Sequence, residues 1–417
     1  MAGLIKWMKI FKEKLWFRPL LVCIFSALAA LLAKVADGTG WHKLLPDVNR
    51  AAVEELLTTL SSSMLVIAVF AVGSMITAFN AASTAATPRS FKLIIADDVS
   101  QNALSVFVGA FIYSIVSLVA LKSEYYGSTG LFILFALTAL AFVLVILTFL
   151  RWVDRISRLG RMGHTIQNIE EATKKAIDYW KKNPHLGGQA FDGEPDEGIA
   201  VYSSEIGYVQ QINMSELQQI AEKNNCKIVL RIVPGKFVTQ QQPLLWVKGL
   251  ATMAESDENA LRQAVVVAHE RSFDYDIRFG IIALSEIASR ALSPAVNDPG
   301  TAIAIIGSHT RLFHLLGENE TATPIRYQSV HVPDIALESL FTDAFRPIAR
   351  DGASFVEVQC RLQKALWSIA ASGKSDLKQL ACTQSKNALE RAKAALSFGP
   401  DFDQLEQVVN RCSQYST

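Results

Sequence analysis

The chain has 417 residues, half of them hydrophobic, and its 40 Lys and Arg against 39 Asp and Glu give a formal net charge of +1. This balance offers no general attraction for nucleic acid, and no basic face interleaved with aromatic residues is visible, so nucleic acid is excluded as a partner. The five cysteines are scattered, with no CxxC pair and no histidine at metal spacing, which argues against a disulfide framework and a metal centre.

Residues 1–18 alternate basic and apolar side chains, which predicts a short helix in the membrane interface. A signal peptide is the competing interpretation, but the apolar run continues beyond the possible cleavage point at Ala29, as in an uncleaved anchor. Four apolar segments then approach or exceed the roughly 20 residues that cross a bilayer core. They predict a four-span transmembrane domain over residues 19–150, with spans at 16–36, 57–81, 103–121 and 130–150.

The orientation of these spans follows from the basic residues beside them, since Lys and Arg are retained on the cytoplasmic side of a membrane. A basic cluster precedes the first span, and another follows the fourth span at Arg151, Arg155, Arg158 and Arg161. Both termini are therefore predicted to be cytoplasmic. The lipid bilayer is a predicted partner of the chain, since four segments cross it.

The second span carries small and hydroxyl residues on one face. Steps of three and four residues place Phe70, Ser74, Thr77, Ala81 and Thr84 together on a helix. Such a face permits close helix packing. It also suits the wall of a pore in a homo-oligomer, with Phe70, Ser74, Thr77 and Thr84 as the pore-lining candidates.

The remainder of the chain predicts a cytoplasmic α+β part, within a fold that is mainly α. Residues 151–195 predict a stalk helix and a linker, because a helical rhythm ends at an Asn-Pro-His-Leu-Gly-Gly stretch. Short alternating segments in residues 196–252 predict a small β-barrel-like module. Residues 253–417 predict an α-helical bundle, since apolar residues recur there at three and four residue steps.

The most unusual local chemistry lies between residues 271 and 302, where two prolines bracket Ser, Asn and Asp. One interpretation is a helix-loop-helix, with Asp298 as N-cap and Pro299 in the first helical position. The other is a polar pocket for a small ligand, for which the candidate residues are Asp276, Arg278, Ser293, Asn297, Asp298 and Thr301.

At these residues the chain resembles the bacterial predicted membrane proteins catalogued as domain of unknown function 2254. The similarity lies in the 276–302 segment with its Ser-Pro-Ala-Val-Asn-Asp-Pro run, in Thr-Pro-Arg at 87–89 after the second span, and in Gly-Tyr at 207–208 leading to Pro-Gly at 234–235. It extends from residue 18 to about 314. Ile282 and Gly300 depart from the family pattern. The resemblance implies a bacterial inner-membrane protein and carries no established activity.

Three functions remain open at this point. The favoured one is an oligomeric channel or transport-like protein, gated by its cytoplasmic domain and passing an ion or small molecule. The second is a membrane-anchored sensor or scaffold that binds a small ligand at the Ser-Pro-Ala-Val-Asn-Asp-Pro segment. The third, less favoured, is a membrane-bound enzyme using Asp276 or Asp298; no H-E-x-x-H, G-x-S-x-G or P-loop spacing occurs, so no catalytic residue, metal or cofactor is predicted.

Overall fold

The computed structural model describes residues 17–39, 46–85, 87–90, 93, 98–158, 161–191, 193, 197–318, 324–372 and 374–414. Its internal contacts divide the chain into two compact units, Met1–Thr165 and Ile166–Thr417, here called unit 1 and unit 2. The interfacial helix predicted for residues 1–18 lies outside the described residues, apart from its last two positions.

The described part of unit 1 contains four long helices: α1 (Phe17–Leu32), α2 (Arg50–Ala85), α3 (Asp98–Lys122) and α4 (Ser128–Arg158). All four are long and apolar enough to cross a membrane. The prediction of four membrane-capable helices is therefore confirmed. Most of their apolar surface faces outward, as expected for helices that are hydrophobic all round and meet lipid tails on the outside.

The bundle in unit 1 packs around α3, whose small residues allow close helix contact. A Cβ atom added to Gly109 would lie 2.5 Å from Cγ1 of Val22, so only glycine lets α1 approach α3 this closely. Farther along α3, the Tyr113 hydroxyl lies 3.1 Å from Oγ1 of Thr138 on α4. This hydrogen bond joins two helices through a region where water is not available as a partner.

The turn after α1 also caps the beginning of α4. The two carboxylate oxygens of Asp37 accept hydrogen bonds from the backbone N–H groups of Gly127, at 2.7 Å, and Gly130, at 2.6 Å. The Tyr126 hydroxyl donates to the carbonyl of Ala30 at 2.8 Å. Unpaired N–H groups at a helix start are thus satisfied by a residue about 90 positions earlier in the chain.

Helix α5 (Met162–Lys182) follows α4, and from Ile166 onward it belongs to unit 2. A 3₁₀ turn, Pro184–Gly187, then leads into the first strand. His185 and Leu186 in this turn have φ values of 50° and 57°, and Gly187 has a φ of 83°. Three consecutive residues in the left-handed region reverse the chain sharply at the end of the helix.

Among the described residues, eight strands form two open sheets in unit 2. The five-stranded sheet has the order β1-β8-β4-β6-β2 and the three-stranded sheet the order β5-β3-β7. The strands are β1 (Gly188–Ala190), β2 (Ile199–Tyr202), β3 (Gly207–Ile212), β4 (Lys227–Leu230), β5 (Phe237–Val238), β6 (Pro243–Lys248), β7 (Val265–Ala268) and β8 (Tyr327–Val332).

The barrel-like module predicted for residues 196–252 is not confirmed. Its strands are present, but neither sheet closes among the described residues. Strands from elsewhere in the chain complete both sheets: β1 pairs in parallel with β8, which also pairs with β4, and β7 pairs with β3. Segments at 265–268 and 327–332 are therefore extended in a region predicted to be helical, because their Val and Tyr residues favour strands and both segments pair with neighbouring strands.

The helices of unit 2 are mostly those that the apolar periodicity predicts. They are α6 (Met214–Lys223), α7 (Glu255–Gln263), α8 (Ile277–Ala291), α9 (Pro299–Gly317), α10 (Leu337–Asp351), α11 (Val356–Ala370), α12 (Ser375–Ala395) and α13 (Gly399–Gln414). Phe313, Phe341 and Phe345 pack together in the core, with ring centroids 4.3 to 5.6 Å apart. This aromatic cluster joins α9 to α10.

Candidate functional site

The outward face of α2 is the first of two candidate regions. Residues at steps of three and four along it are all exposed: Ser63, Val66, Phe70, Gly73, Thr77 and Ala81. A groove of about 450 Å³ runs along the same face and is lined by Phe70, Gly73, Ser74, Thr77, Ala78, Ala81 and Ile156. The structure thus brings together three of the four pore-lining candidates; the side chain of Thr84 lies outside the described residues.

Phe70 at one end of this groove is both anchored and exposed. Its ring meets Trp152 of α4 edge-on, with 6.2 Å between centroids, yet 63% of the side chain remains exposed. Trp152 itself is 1% exposed and also contacts Phe107, so its position is fixed by the bundle. Trp152 therefore supports the Phe70 ring on one side and leaves most of the ring exposed.

The polar side chains of the groove differ in how they are satisfied. Thr77 donates its hydroxyl hydrogen to the carbonyl of Gly73 at 3.0 Å, which lowers the cost of exposing it to lipid. The half-buried Ser74 makes no hydrogen bond with the described part of the chain. A Cβ atom added to Gly73 would meet nothing within 4 Å, so unit 1 leaves this surface open.

The second candidate region begins at Asp276, which is almost fully buried. Its carboxylate accepts two hydrogen bonds from Arg271, at 2.7 and 2.9 Å, and a third from the backbone N–H of Phe279 at 3.0 Å. Gly235, with a φ of +91°, packs so closely that an added Cβ would overlap the carboxylate. Burial raises the pKa of Asp276, and the Arg271 guanidinium opposes that rise. Asp276 is thus an N-cap locked in a buried ion pair.

Arg278 lies two residues later but has a different partner. Its guanidinium forms an ion pair with Asp343 on α10, which raises the pKa of Arg278. Half of the Arg278 side chain is exposed. Asp276 and Arg278 are therefore engaged with separate partners, and each joins α8 to another part of unit 2.

The remaining four candidates lie beyond the other end of α8. This helix has 15 residues and is about 22 Å long, so Asp276 and Ser293 stand at its opposite ends. The structure does not bring the six candidate residues into one pocket. Ser293 donates its hydroxyl hydrogen to the carbonyl of Arg290 at 2.7 Å, which closes the C-terminal turn of the helix.

Asp298 caps α9 in the way its spacing predicts. Oδ1 accepts from the Thr301 N–H at 3.0 Å and Oδ2 accepts from the Thr301 hydroxyl at 2.6 Å. These hydrogen bonds lower the pKa of the Asp298 carboxyl. Asn297 supports the turn with a φ of +51°, a left-handed conformation that Asn tolerates better than most residues. The observed chemistry here is that of a helix cap.

A buried pair in unit 2, Ser285 and His309, lies outside the set of candidate residues predicted from the sequence. Nε2 of His309 lies 3.1 Å from Oγ of Ser285, and the same Oγ donates to the carbonyl of Ala344 at 3.2 Å. Burial lowers the pKa of His309 to about 3. The spacing is that of a nucleophile and a base, but His309 is 0% exposed, so the described structure gives the pair no opening to solvent. Among described residues, no group of three or more His, Cys, Asp or Glu is placed to hold a metal ion.

Comparison with known proteins confirms the family resemblance seen in the sequence. The family described as "Predicted membrane protein (DUF2254)" matches residues 12–368. Uncharacterized proteins of Mycobacterium bovis and of Mycobacterium tuberculosis strains H37Rv and CDC 1551 are each 32% identical over 116 residues, or 27% of this chain. That alignment spans only 22% of the length of these curated relatives. No solved structure matches the chain.

Proposed function

This chain belongs to the DUF2254 family of predicted membrane proteins, and we propose that it forms a homo-oligomeric channel whose axis is lined by α2. The lining residues are Phe70, Ser74, Thr77 and Thr84, and the solute is an ion or a small polar molecule. The chain lies in the bacterial inner membrane with four spans and both termini in the cytoplasm. Its C-terminal unit, on the cytoplasmic side, controls the opening.

The observation that carries this proposal is the uncovered face of α2. Lipid tails offer no hydrogen bonds, so a spanning helix usually turns its hydroxyl and glycine residues toward other helices. Here Ser63, Gly73 and Thr77 face outward from the bundle, and the hydroxyl of Ser74 lacks a partner in the described chain. Copies of α2 packed around a common axis cover these residues and give the hydroxyls access to water.

Phe70 is the residue we assign to closure of the channel. A ring of apolar side chains closes a narrow pore by excluding water, and no charged group is needed. Trp152 supports Phe70 edge-on and leaves most of its ring exposed. One turn farther along α2, Gly73 widens the path, and one turn beyond it the Thr77 hydroxyl supplies an oxygen atom that partly replaces the hydration of a solute.

Flux measurements on liposomes containing the purified protein test the proposal. Phe70→Ser removes the apolar ring and increases basal flux of a monovalent cation, whereas Thr77→Leu narrows the path and decreases it. Val143→Ser is the matched control, because Val143 is an exposed apolar residue of α4 away from the groove. Light scattering of the same samples gives the mass of the oligomer.

Two results would contradict the channel. If the protein is monomeric in several detergents and in nanodiscs, several copies of α2 do not share an axis and there is no such channel. If the protein forms oligomers but neither Phe70→Ser nor Thr77→Leu changes the flux, α2 is a packing helix. In that case the membrane-anchored sensor or scaffold becomes the better proposal, and a membrane-bound enzyme using Asp276 or Asp298 remains disfavoured because both carboxylates serve as helix caps.

A further inference from the structure

A second groove in unit 1 lies where α1 and α3 end, away from the proposed channel face. It has a volume of about 360 Å³, within the range of about 300 to 1,000 Å³ typical of small-molecule pockets. Its walls are almost entirely apolar and include Leu31, Ile115, Val119 and Ala120. Ser123 and Tyr125 lie at the end of the groove, beyond the last turn of α3.

The packing of α1 against α3 explains why the groove exists. Gly109 lets the two helices touch at Val22. The groove begins six residues farther along α3, at Ile115, or about 9 Å away, and it continues past the small side chain of Ala120. Tyr126 and Asp37 hold the ends of the helices in place through the Ala30 carbonyl and the start of α4, so the groove has fixed walls.

A cation stands at the mouth of this groove. The Nζ atom of Lys34 lies 4.1 Å from the centroid of the Tyr125 ring. No carboxylate of the described residues lies within 4 Å of it, and Asp37 directs both of its oxygens to the amides of Gly127 and Gly130. By contrast, Arg50 and Lys122 at the same end of the bundle lie 3.9 and 3.2 Å from the carboxylates of Glu124 and Glu54.

We propose that this groove is a binding site for one phospholipid, with an acyl chain against Val119 and Ala120 and the phosphate on Lys34. The apolar walls match a hydrocarbon chain, and an ammonium group at the rim of a spanning bundle pairs with a headgroup phosphate. A second copy of the protein fits less well, because covering the groove with an apolar helix would bury the Lys34 charge without a partner. The site is independent of the proposed channel.

Two variants test the two halves of the site. Val119→Phe fills the groove, and it is tolerated because the Val119 side chain is 62% exposed. Lys34→Gln removes the charge and keeps a long polar side chain. Val143→Phe is the control, since Val143 has a similarly exposed position on α4 outside the groove. Native mass spectrometry counts the lipid that each purified protein binds from added phosphatidylglycerol or diacylglycerol.

We expect the unaltered protein and Val143→Phe to bind one phosphatidylglycerol tightly and diacylglycerol about tenfold more weakly, because diacylglycerol lacks the phosphate. Val119→Phe should lose specific binding of both lipids. Lys34→Gln should bind phosphatidylglycerol as weakly as it binds diacylglycerol. Equal lipid binding by Val119→Phe and the unaltered protein would overturn the proposal. So would a change of oligomer mass in Val119→Phe alone, which would assign the groove to a second copy.

Discussion

Gly280 of α8 lies directly against Thr173 of α5: a Cβ atom built on Gly280 would stand 1.8 Å from Oγ1 of Thr173. That hydroxyl is itself fixed, because it donates to the carbonyl of Ile169 at 2.7 Å in a fully buried position. The Thr173 side chain therefore has no room to move. The two helices therefore approach each other at the distance that only glycine permits.

Gly280→Ala should destabilise unit 2 by about 1 to 3 kcal/mol, the usual effect of overpacking a core. Denaturant unfolding of the purified protein, followed by circular dichroism, measures the change. Gly307→Ala on α9 is the control, because its Cβ would meet the tip of Arg311 at an ordinary 3.5 Å. Alanine should stabilise the helix there by about 0.5 to 1 kcal/mol. Equal effects of the two substitutions would contradict the close contact.

The cap at Asp298 gives a second prediction. Asp298→Ala removes both hydrogen bonds to Thr301 and should lower the free energy of unfolding by about 1 kcal/mol, whereas Asp298→Ser should retain most of it. Because the pKa of Asp298 is lowered in the folded protein, this stability is present above the pKa of the unfolded chain and is lost as the pH falls through the folded pKa. Denaturation curves recorded above and below the pKa of Asp298 in the unfolded chain distinguish the variants. If Asp298→Ala instead loses a bound small molecule without losing stability, the segment is a binding site.

Asp276 and Arg271 give a third prediction, because they form a buried pair. Asp276→Ala leaves the Arg271 charge without its partner and should cost about 3 to 5 kcal/mol, as should Arg271→Ala. The double variant should cost clearly less than the sum of the two, since neither charge is then left unpaired. Chemical denaturation of the three variants measures the coupling. Simple addition of the two single effects would show that the pair contributes little.

The four long helices and the Asp298 cap could be predicted because both depend on neighbouring residues. Apolar runs of spanning length need no tertiary information, and an Asp-Pro-x-Thr sequence carries its own capping chemistry. The open sheets could not be predicted in this way. Gly188 pairs with Tyr327, well over a hundred residues later, and local alternation contains no signal for such a parallel pairing.

The six candidate ligand-binding residues lie in two separate groups in the structure, a separation that was also not predicted from the sequence. Their density in the sequence suggested one pocket, but the helix from Ile277 to Ala291 separates them by its full length. The sequence does contain this signal, since an apolar periodicity over 15 residues predicts a rod of about 22 Å. The candidate residues did not include Arg271, which forms the ion pair with Asp276. Arg271 reaches Asp276 across a turn, and no helical or strand spacing brings those two positions together.

His309 should make the folded protein sensitive to acid. Its pKa in the folded protein is about 3 against 6.5 for a free imidazole. Below pH 6.5 the unfolded chain therefore binds a proton that the folded chain does not, and stability falls with falling pH. The slope is at most about 1.4 kcal/mol per pH unit. His309→Leu should reduce this slope. Denaturation at pH 7, 6 and 5 gives the comparison.

The proposed topology can be decided with two serines, because each is exposed and accepts a cysteine with little change in volume. Ser128 begins α4, and Ser256 lies in α7 of unit 2. If both termini are cytoplasmic, the turn before α4 faces the outside of the cell and unit 2 faces the inside. In a cysteine-free background, a membrane-impermeant maleimide should therefore label Ser128→Cys in intact spheroplasts and should label Ser256→Cys only after lysis. Labelling of Ser256→Cys in intact spheroplasts, with Ser128→Cys protected, would invert the membrane orientation and with it the assignment of unit 2 to the cytoplasm.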